Sequence, residues 1–169
     1  MKLTDRTDYA FRVLMYLAAN GGRLATVGEI AARYGISHSH LTRVVWALGR
    51  AGFVETVRGR GGGLRLARSA EAIGVGAVAR LMEAGIPLAQ CFPGGTGSCR
   101  IETCCALKGI LAEAEAAFFA VLDRHSVDDL VHGNRKLRAF VVDGPASRSS
   151  PEARAEGRST GRQGMARPG

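Results

Sequence analysis

The sequence has no apolar run near the roughly 20 residues that a membrane helix requires, and Met1-Lys2-Leu3-Thr4-Asp5 shows no apolar core of a signal peptide. Neither a membrane span nor secretion is expected, and a cytoplasmic location with no membrane partner is. Catalytic signatures are also missing. There is no nucleophile elbow, no HExxH and no paired-carboxylate pattern, and His38, His40, His125 and His132 fall at no catalytic or metal-binding spacing. An enzyme is therefore not expected. No internal repeat is present. Cysteine is absent from most of the chain: Cys91, Cys99, Cys104 and Cys105 all fall in one short stretch. In a chain of cytoplasmic character that confinement favours metal or redox chemistry over a structural disulfide.

What is present is a chain of 169 residues, 46% hydrophobic and 22% charged, long enough for one domain or a small domain with an appendage. Its formal charge is +8, which suggests a polyanionic partner. The surplus is uneven. Residues 1–68 hold 11 Lys/Arg against 4 Asp/Glu, residues 69–143 hold 7 against 9, and residues 144–169 hold 5 against 2. A basic N-terminal part and a separate cysteine-bearing part are in view.

Helical spacing of Tyr9, Ala10, Val13, Leu14 and Leu17 predicts a first helix from Leu3 to Ala19, with Thr4 as its N-cap and Asn20-Gly21-Gly22 as its stop. Thr26-Val27-Gly28-Glu29 has the form of a capping box and opens a short helix that Gly35 ends. Ser37 reads as the N-cap of a third helix to about Ala51, with Leu41, Val44, Val45 and Leu48 facing inward. These last two helices, joined by a tight glycine turn, form a helix-turn-helix candidate. Two alternating segments, Phe53–Val57 and Gly63–Ala67, flank Arg58-Gly59-Arg60-Gly61-Gly62 as a hairpin. A helix-turn-helix followed by a basic, glycine-tipped hairpin is a winged helix, which offers its third helix to the major groove of double-stranded DNA.

Beyond the wing, a helix is expected over Gly76–Ala84, a Gly- and Pro-rich loop over Gly85–Thr103, and a long helix over Cys105–Leu122. The apolar face of that long helix suits a symmetry mate, so a homodimer is expected. Ser126 caps a short helix through Val131, Lys136–Val142 reads as a terminal strand or turn, and the segment from Gly144 reads as a disordered basic tail. The fold class is thus mainly α with a small β-hairpin. It divides into a winged helix-turn-helix over 1–68, a loop and dimerisation helix over 69–143, and a tail over 144–169.

The candidate DNA-facing residues are Ser37, His38, Ser39, His40, Thr42 and Arg43 on the third helix, with Trp46 and Arg50 further along, and Arg58 and Arg60 at the wing tip. Arg43 suits a bidentate contact with guanine, and the wing arginines suit phosphates. The wing glycines do not make a P-loop, because the Gly-Lys-Ser/Thr ending is missing and a strand follows rather than a helix. Among the cysteines, thiolates favour iron-sulfur clusters, zinc or Cu(I). Adjacent Cys104 and Cys105 diverge too far to serve one ion together, so three thiolates is the practical maximum. A four-thiolate zinc site is thereby disfavoured.

Leu3-Thr4, Thr7-Asp8-Tyr9-Ala10, Arg12-Val13-Leu14, the Arg58–Leu64 wing and the cysteine loop resemble the iron-sulfur winged-helix repressors, from Met1 to about Asp143. Within that family, Cys99, five residues, then Cys105-Ala106-Leu107-Lys108 is similar to the pattern of the nitric-oxide-sensing members. The branch that reports cluster supply carries a histidine where this chain has Lys108. The resemblance implies Cys91, Cys99 and Cys105 as cluster ligands, with Asp8 of the other subunit of a homodimer as the fourth. It further implies an iron-sulfur cluster of the 4Fe-4S type (2Fe-2S as the alternative), nitric oxide as signal, and a repressor released from promoter DNA when the cluster is nitrosylated. Two departures stand out: seven residues separate Cys91 from Cys99, and Cys104 adds a thiol beside a ligand. The rival expectations are a two-iron redox or cluster-supply regulator, a cluster-free thiol-based repressor and, from another class, a redox enzyme or thiol carrier that uses Cys104-Cys105.

Overall fold

Thr4 opens the first helix as its sequence predicts. Its hydroxyl accepts the N–H of Thr7 at 3.4 Å, and α1 runs over Asp5–Ala19. A computed structural model of the chain describes residues 3–143, so the tail expected from Gly144 lies outside the described residues. Helix α1 is the spine of the core: Ala10, Val13, Leu14, Tyr16 and Leu17 are buried along one face. Helix α2 (Val27–Tyr34) stops at Gly35, whose φ of 65° is the left-handed value that glycine adopts without cost. Helix α3 (His38–Arg50) follows and buries Leu41, Val44, Val45 and Leu48. Each such fully buried side chain contributes about 1.5–3 kcal/mol, and this inward stripe fixes which face of α3 is left for a partner.

Strands β1 (Val54–Val57) and β2 (Gly63–Leu66) pair antiparallel, with Val54 opposite Leu66 and Val57 opposite Gly63. Ala25, between α1 and α2, adds a bridge to the free side of β2 by exchanging hydrogen bonds of 3.1 and 2.7 Å with Leu64. A Cβ at Gly62 would run into the carbonyl of Val57, and one at Gly63 would press on Ala25. Glycine is required at both, so the wing is bolted to the helical core at its base while its tip stays exposed.

After a 3-10 turn at Ala70–Ala72 come α4 (Val75–Glu83), the cysteine loop, a second 3-10 turn at Glu102–Cys104, α5 (Ala106–Leu122), α6 (Val127–Val131) and α7 (Arg135–Asp143). Ser126 and Asp129 form a complete capping box at the start of α6. Val78 and Met82 of α4, Val127 and Val131 of α6 and Val141 of α7 all enter the same core cluster as α1 to α3. Helix α5 differs: none of its residues is buried. It is fastened to α4 at one end, where the Arg80 guanidinium forks onto both oxygens of Asp123 at 2.6 and 2.7 Å and lies 4.5 Å from the Phe119 ring.

Two local expectations change. The segment read as a terminal strand or turn, Lys136–Val142, lies within helix α7. The Asn134 side chain accepts the N–H of Leu137 at 3.0 Å, and Phe140 packs on Tyr34 with ring centroids 5.4 Å apart. The Thr26–Glu29 capping box is only half made. Thr26 accepts the Glu29 N–H, but the Glu29 carboxylate turns to the Tyr16 hydroxyl and Arg23 instead. Burial and that acceptor push the Tyr16 phenol up to about 12, while Arg23 above all holds Glu29 below its ordinary value.

Candidate DNA interface and cysteine loop

The eight side chains expected to face DNA are all exposed: Ser37, His38, Ser39, His40, Thr42 and Arg43 at the N-terminal half of α3, Arg58 and Arg60 at the wing tip. Ser37 takes the N-cap position without a capping hydrogen bond, because its hydroxyl pairs with that of Ser39 at 2.9 Å. The Thr42 hydroxyl donates to the His38 carbonyl at 2.8 Å and keeps its lone pairs outward. Arg12, Arg23, Arg65 and Arg80 are each held by an acid. Among the described residues, Arg43, Arg58 and Arg60 have no such ion pair. Their guanidinium groups are open to phosphates or base edges.

The cysteine loop closes on itself. Phe92 N–H bonds to Ala89 O (3.0 Å), Gly95 N–H to Phe92 O (2.9 Å) and Gly97 N–H to Gln90 O (3.1 Å). The extra residues between Cys91 and Cys99 are thus folded into a short excursion whose two ends meet. From Cys99 the chain passes through tight turns, Glu102 N–H to Cys99 O and Cys104 N–H to Ile101 O, to Cys105 at the N-cap of α5. All four cysteines are free thiols, with Cys91, Cys99 and Cys105 half-buried and Cys104 exposed. Cys104 turns back, its sulfur donating to the Ile101 carbonyl at 3.5 Å. Lys108, bonded to Glu102 at 2.6 Å, is pushed up by that bond first and then by the Cys91 and Cys105 side chains.

For an iron-sulfur cluster the donor chemistry fits: free sulfurs on a loop that carries few other ligands, with Cys105 at the partly positive end of a helix. Cys91, Glu102 and Lys108 line one open depression on the surface of the loop. Among the described residues no three His, Cys, Asp or Glu side chains stand close enough to hold a metal ion. Asp8 lies exposed in the first turn of α1 in an ion pair with Arg12 at 2.8 Å, and Arg12 in turn lies 5.8 Å from the Tyr34 ring centroid.

Glu83 is a residue that sequence reasoning missed. It is the last residue of α4, two residues before the cysteine loop. Its Oε1 accepts the Thr4 N–H and the Thr4 hydroxyl, both at 2.9 Å, together with the hydroxyl of fully buried Thr7. No local pattern announces a contact 79 residues long. Partial burial pushes this carboxyl up, but the Thr7 and Thr4 donors and the charge of Arg6 outweigh it and leave Glu83 below its ordinary 4.5. A carboxyl held low adds stability that is complete above 4.5 and is lost as pH falls through the lowered value. Glu83→Gln should therefore show a smaller drop in thermal midpoint than the parent chain between pH 4.5 and more acid solution. Equal drops would remove the Glu83 clamp from the stability of the fold.

The sequence and the overall fold are both met in known proteins. The chain is 46% identical over 142 residues to the HTH-type transcriptional regulator NsrR of Bacillus subtilis (strain 168), covering 83% of this chain and 97% of that one. Among solved structures it matches oxidised Staphylococcus aureus CymR with a TM-score of 0.63 and 26% identity, over 78% of this chain and 97% of that one. T. potens IscR matches with a TM-score of 0.61 and 25% identity, over 78% and 86%. No described helix is long and apolar enough to cross a membrane, and the role these relatives indicate is regulatory rather than enzymatic. The sequence model of Rrf2, described as an iron-dependent transcriptional regulator, matches residues 3–133, and with a helix-turn-helix, a wing and a cysteine loop in that span the chain belongs to the Rrf2 family.

Proposed function

We propose that the chain is a homodimeric, DNA-binding transcriptional repressor that senses nitric oxide through an iron-sulfur cluster and leaves its operator when nitric oxide reaches that cluster. In this reading 1–68 binds DNA, 69–143 holds the cluster and pairs the subunits, and the basic tail over 144–169 adds nonspecific affinity. The observation that carries it is the short path from sensor to reader. The cysteine loop begins two residues after Glu83, Glu83 clamps the start of α1, and α1 carries Asp8 and packs against α3.

Cys91, Cys99 and Cys105 would hold the cluster, with Asp8 of the other copy as fourth ligand and Cys104 left out because it turns back onto the loop. A cluster bound here supplies irons that react with nitric oxide, and a carboxylate holds iron less firmly than a thiolate does. The rest is done by this chain. A shift of the loop pulls on Glu83, Glu83 on Thr4 and Thr7, and α1 on the two recognition helices, which must match the spacing of two half-sites. A coupling of about 3 kcal/mol suffices to weaken binding roughly 100-fold.

The test is an absorption spectrum with iron and sulfide assay of protein purified without oxygen, then titrated with nitric oxide in the presence of operator DNA. A four-iron protein whose DNA complex dissociates as the colour bleaches bears the reading out. A two-iron protein indifferent to nitric oxide would reassign it to redox or cluster supply. The exposed free thiol of Cys104 favours a second reading, a cluster-free thiol repressor, for which the protein is colourless and leaves DNA on disulfide stress. In either reading Arg43→Ala should weaken operator binding by roughly 1–3 kcal/mol while the dimer persists. Unchanged affinity would take α3 out of base reading.

A further inference from the structure

We propose that the cleft between the first turns of α1 and the outer face of α3 is a second DNA-contact site, in which Arg6 and Trp46 grip the sugar-phosphate backbone beside the groove that α3 enters. The inference rests on the reading of this chain as a DNA-binding regulator and extends its contact face onto a helix that neither the recognition-helix motif nor the wing includes. Two neighbouring depressions form the cleft. One, of about 270 Å³, is lined by residues that include Arg6, Tyr9, His40 and Arg43; the other, of about 440 Å³, by Arg6, Thr42, Arg43 and Trp46. Arg6 and Arg43 border both, so α1 and α3 offer their guanidinium groups to a single occupant.

Trp46 is the chain's sole tryptophan and is 62% exposed, although the helix that carries it buries five aliphatic side chains. An indole left so open on a charged face calls for a covering partner. The guanidinium of Arg50 lies 5.0 Å from its ring centroid, which stiffens both side chains and leaves the indole N–H and the arginine donors available.

Charge decides the occupant. Arg6, Arg43 and Arg50 line or flank the cleft, and among the described residues no acid forms an ion pair with any of them, whereas Arg12, Arg23, Arg65 and Arg80 are paired. Asp5 also lines the smaller depression, so arginines outnumber acids there two to one, and Glu83, whose charge Arg6 feels, is already committed to Thr4 and Thr7. A second copy of this face would bring the same arginines and be repelled. A phosphate backbone suits it: guanidinium forks take phosphate oxygens, the indole N–H donates to another, and the ring packs on a sugar. The cleft is continuous with His40, Thr42 and Arg43, so a duplex laid on α3 passes over it.

Trp46 supplies its own reporter. The full chain is titrated with a short duplex of arbitrary sequence; tryptophan emission is read beside the anisotropy of a label on the DNA, and the affinity is repeated over a range of salt. Emission from Trp46 is expected to change in step with binding, and Arg6→Ala is expected to weaken binding about 3- to 10-fold and lower the salt slope by about 1. Emission that stays constant while anisotropy reports a complex would overturn the proposal. So would an Arg6→Ala slope equal to that of the parent chain. Arg43→Ala separates the two levels: if it weakens binding and Arg6→Ala does not, the cleft fails and the regulator reading stands. If the parent chain shows no binding to operator or arbitrary DNA, both fall together.

Discussion

Cys99→Ala protein, prepared without oxygen, is expected to emerge colourless, its iron affinity down at least about 100-fold, with an unchanged far-ultraviolet dichroism spectrum. The two halves of that outcome have separate causes. Cys99 lies in a loop that contributes nothing to the core, which is built from α1 to α4, β1 and β2, α6 and α7. Removing its sulfur leaves every buried aliphatic contact in place. Removing it also leaves at most two thiolates of the expected set, Cys91 and Cys105. Cys104→Ala is the matched control and should keep its colour, since that side chain is exposed and bonded to Ile101. If Cys104→Ala bleaches and Cys105→Ala does not, the two adjacent residues exchange roles. Full iron content in Cys99→Ala would end the ligand assignment.

Ile110→Glu should turn the protein into a monomer in sedimentation and weaken binding to a two-half-site operator by about 10²- to 10⁴-fold, with half-site binding little changed. Helix α5 spans Ala106–Leu122 without one buried residue, and Leu107 and Ile110 are 56% and 61% exposed. Under the proposed function, a helix so apolar, tied to its own chain chiefly through Arg80, Asp123 and Phe119, would find its missing contacts on another copy. A stable pair buries about 1,200–2,000 Å² in total, and a carboxylate at the centre of that area would be desolvated without a partner. A variant that still sediments as a dimer would move the interface off α5.

Much of the fold was legible because its signals are local. Thr4 and Ser126 announce their helices through capping, Gly35 ends α2, and the spacing of Leu41, Val44, Val45 and Leu48 orients α3. The hairpin followed from alternation around Arg58-Gly59-Arg60-Gly61-Gly62, and the exposure of the expected DNA-facing residues from the complementary face of α3. What failed locally was decided by tertiary contact. Phe140-Val141-Val142 is a strand-like run, yet Val141 is buried against the core and the Phe140 carbonyl accepts from Arg33, so the segment coils into α7. Glu29 left its cap because Tyr16 and Arg23 offered better donors. Glu83 was beyond reach, since its worth lies in Thr4 and Thr7 across the fold. The loop between Cys91 and Cys99 folds its extra length away by joining Gly97 to Gln90, which spacing alone does not state.

The unburied state of α5 has a consequence for dosage. Cys105 stands at the N-cap of the helix proposed to pair the subunits, so pairing of chains and retention of a cluster would draw on one equilibrium. Mass action then links them: what stabilises the pair steadies the loop, and dilution loosens both. The threshold at which such a switch releases its promoter would then depend on how many copies the cell maintains.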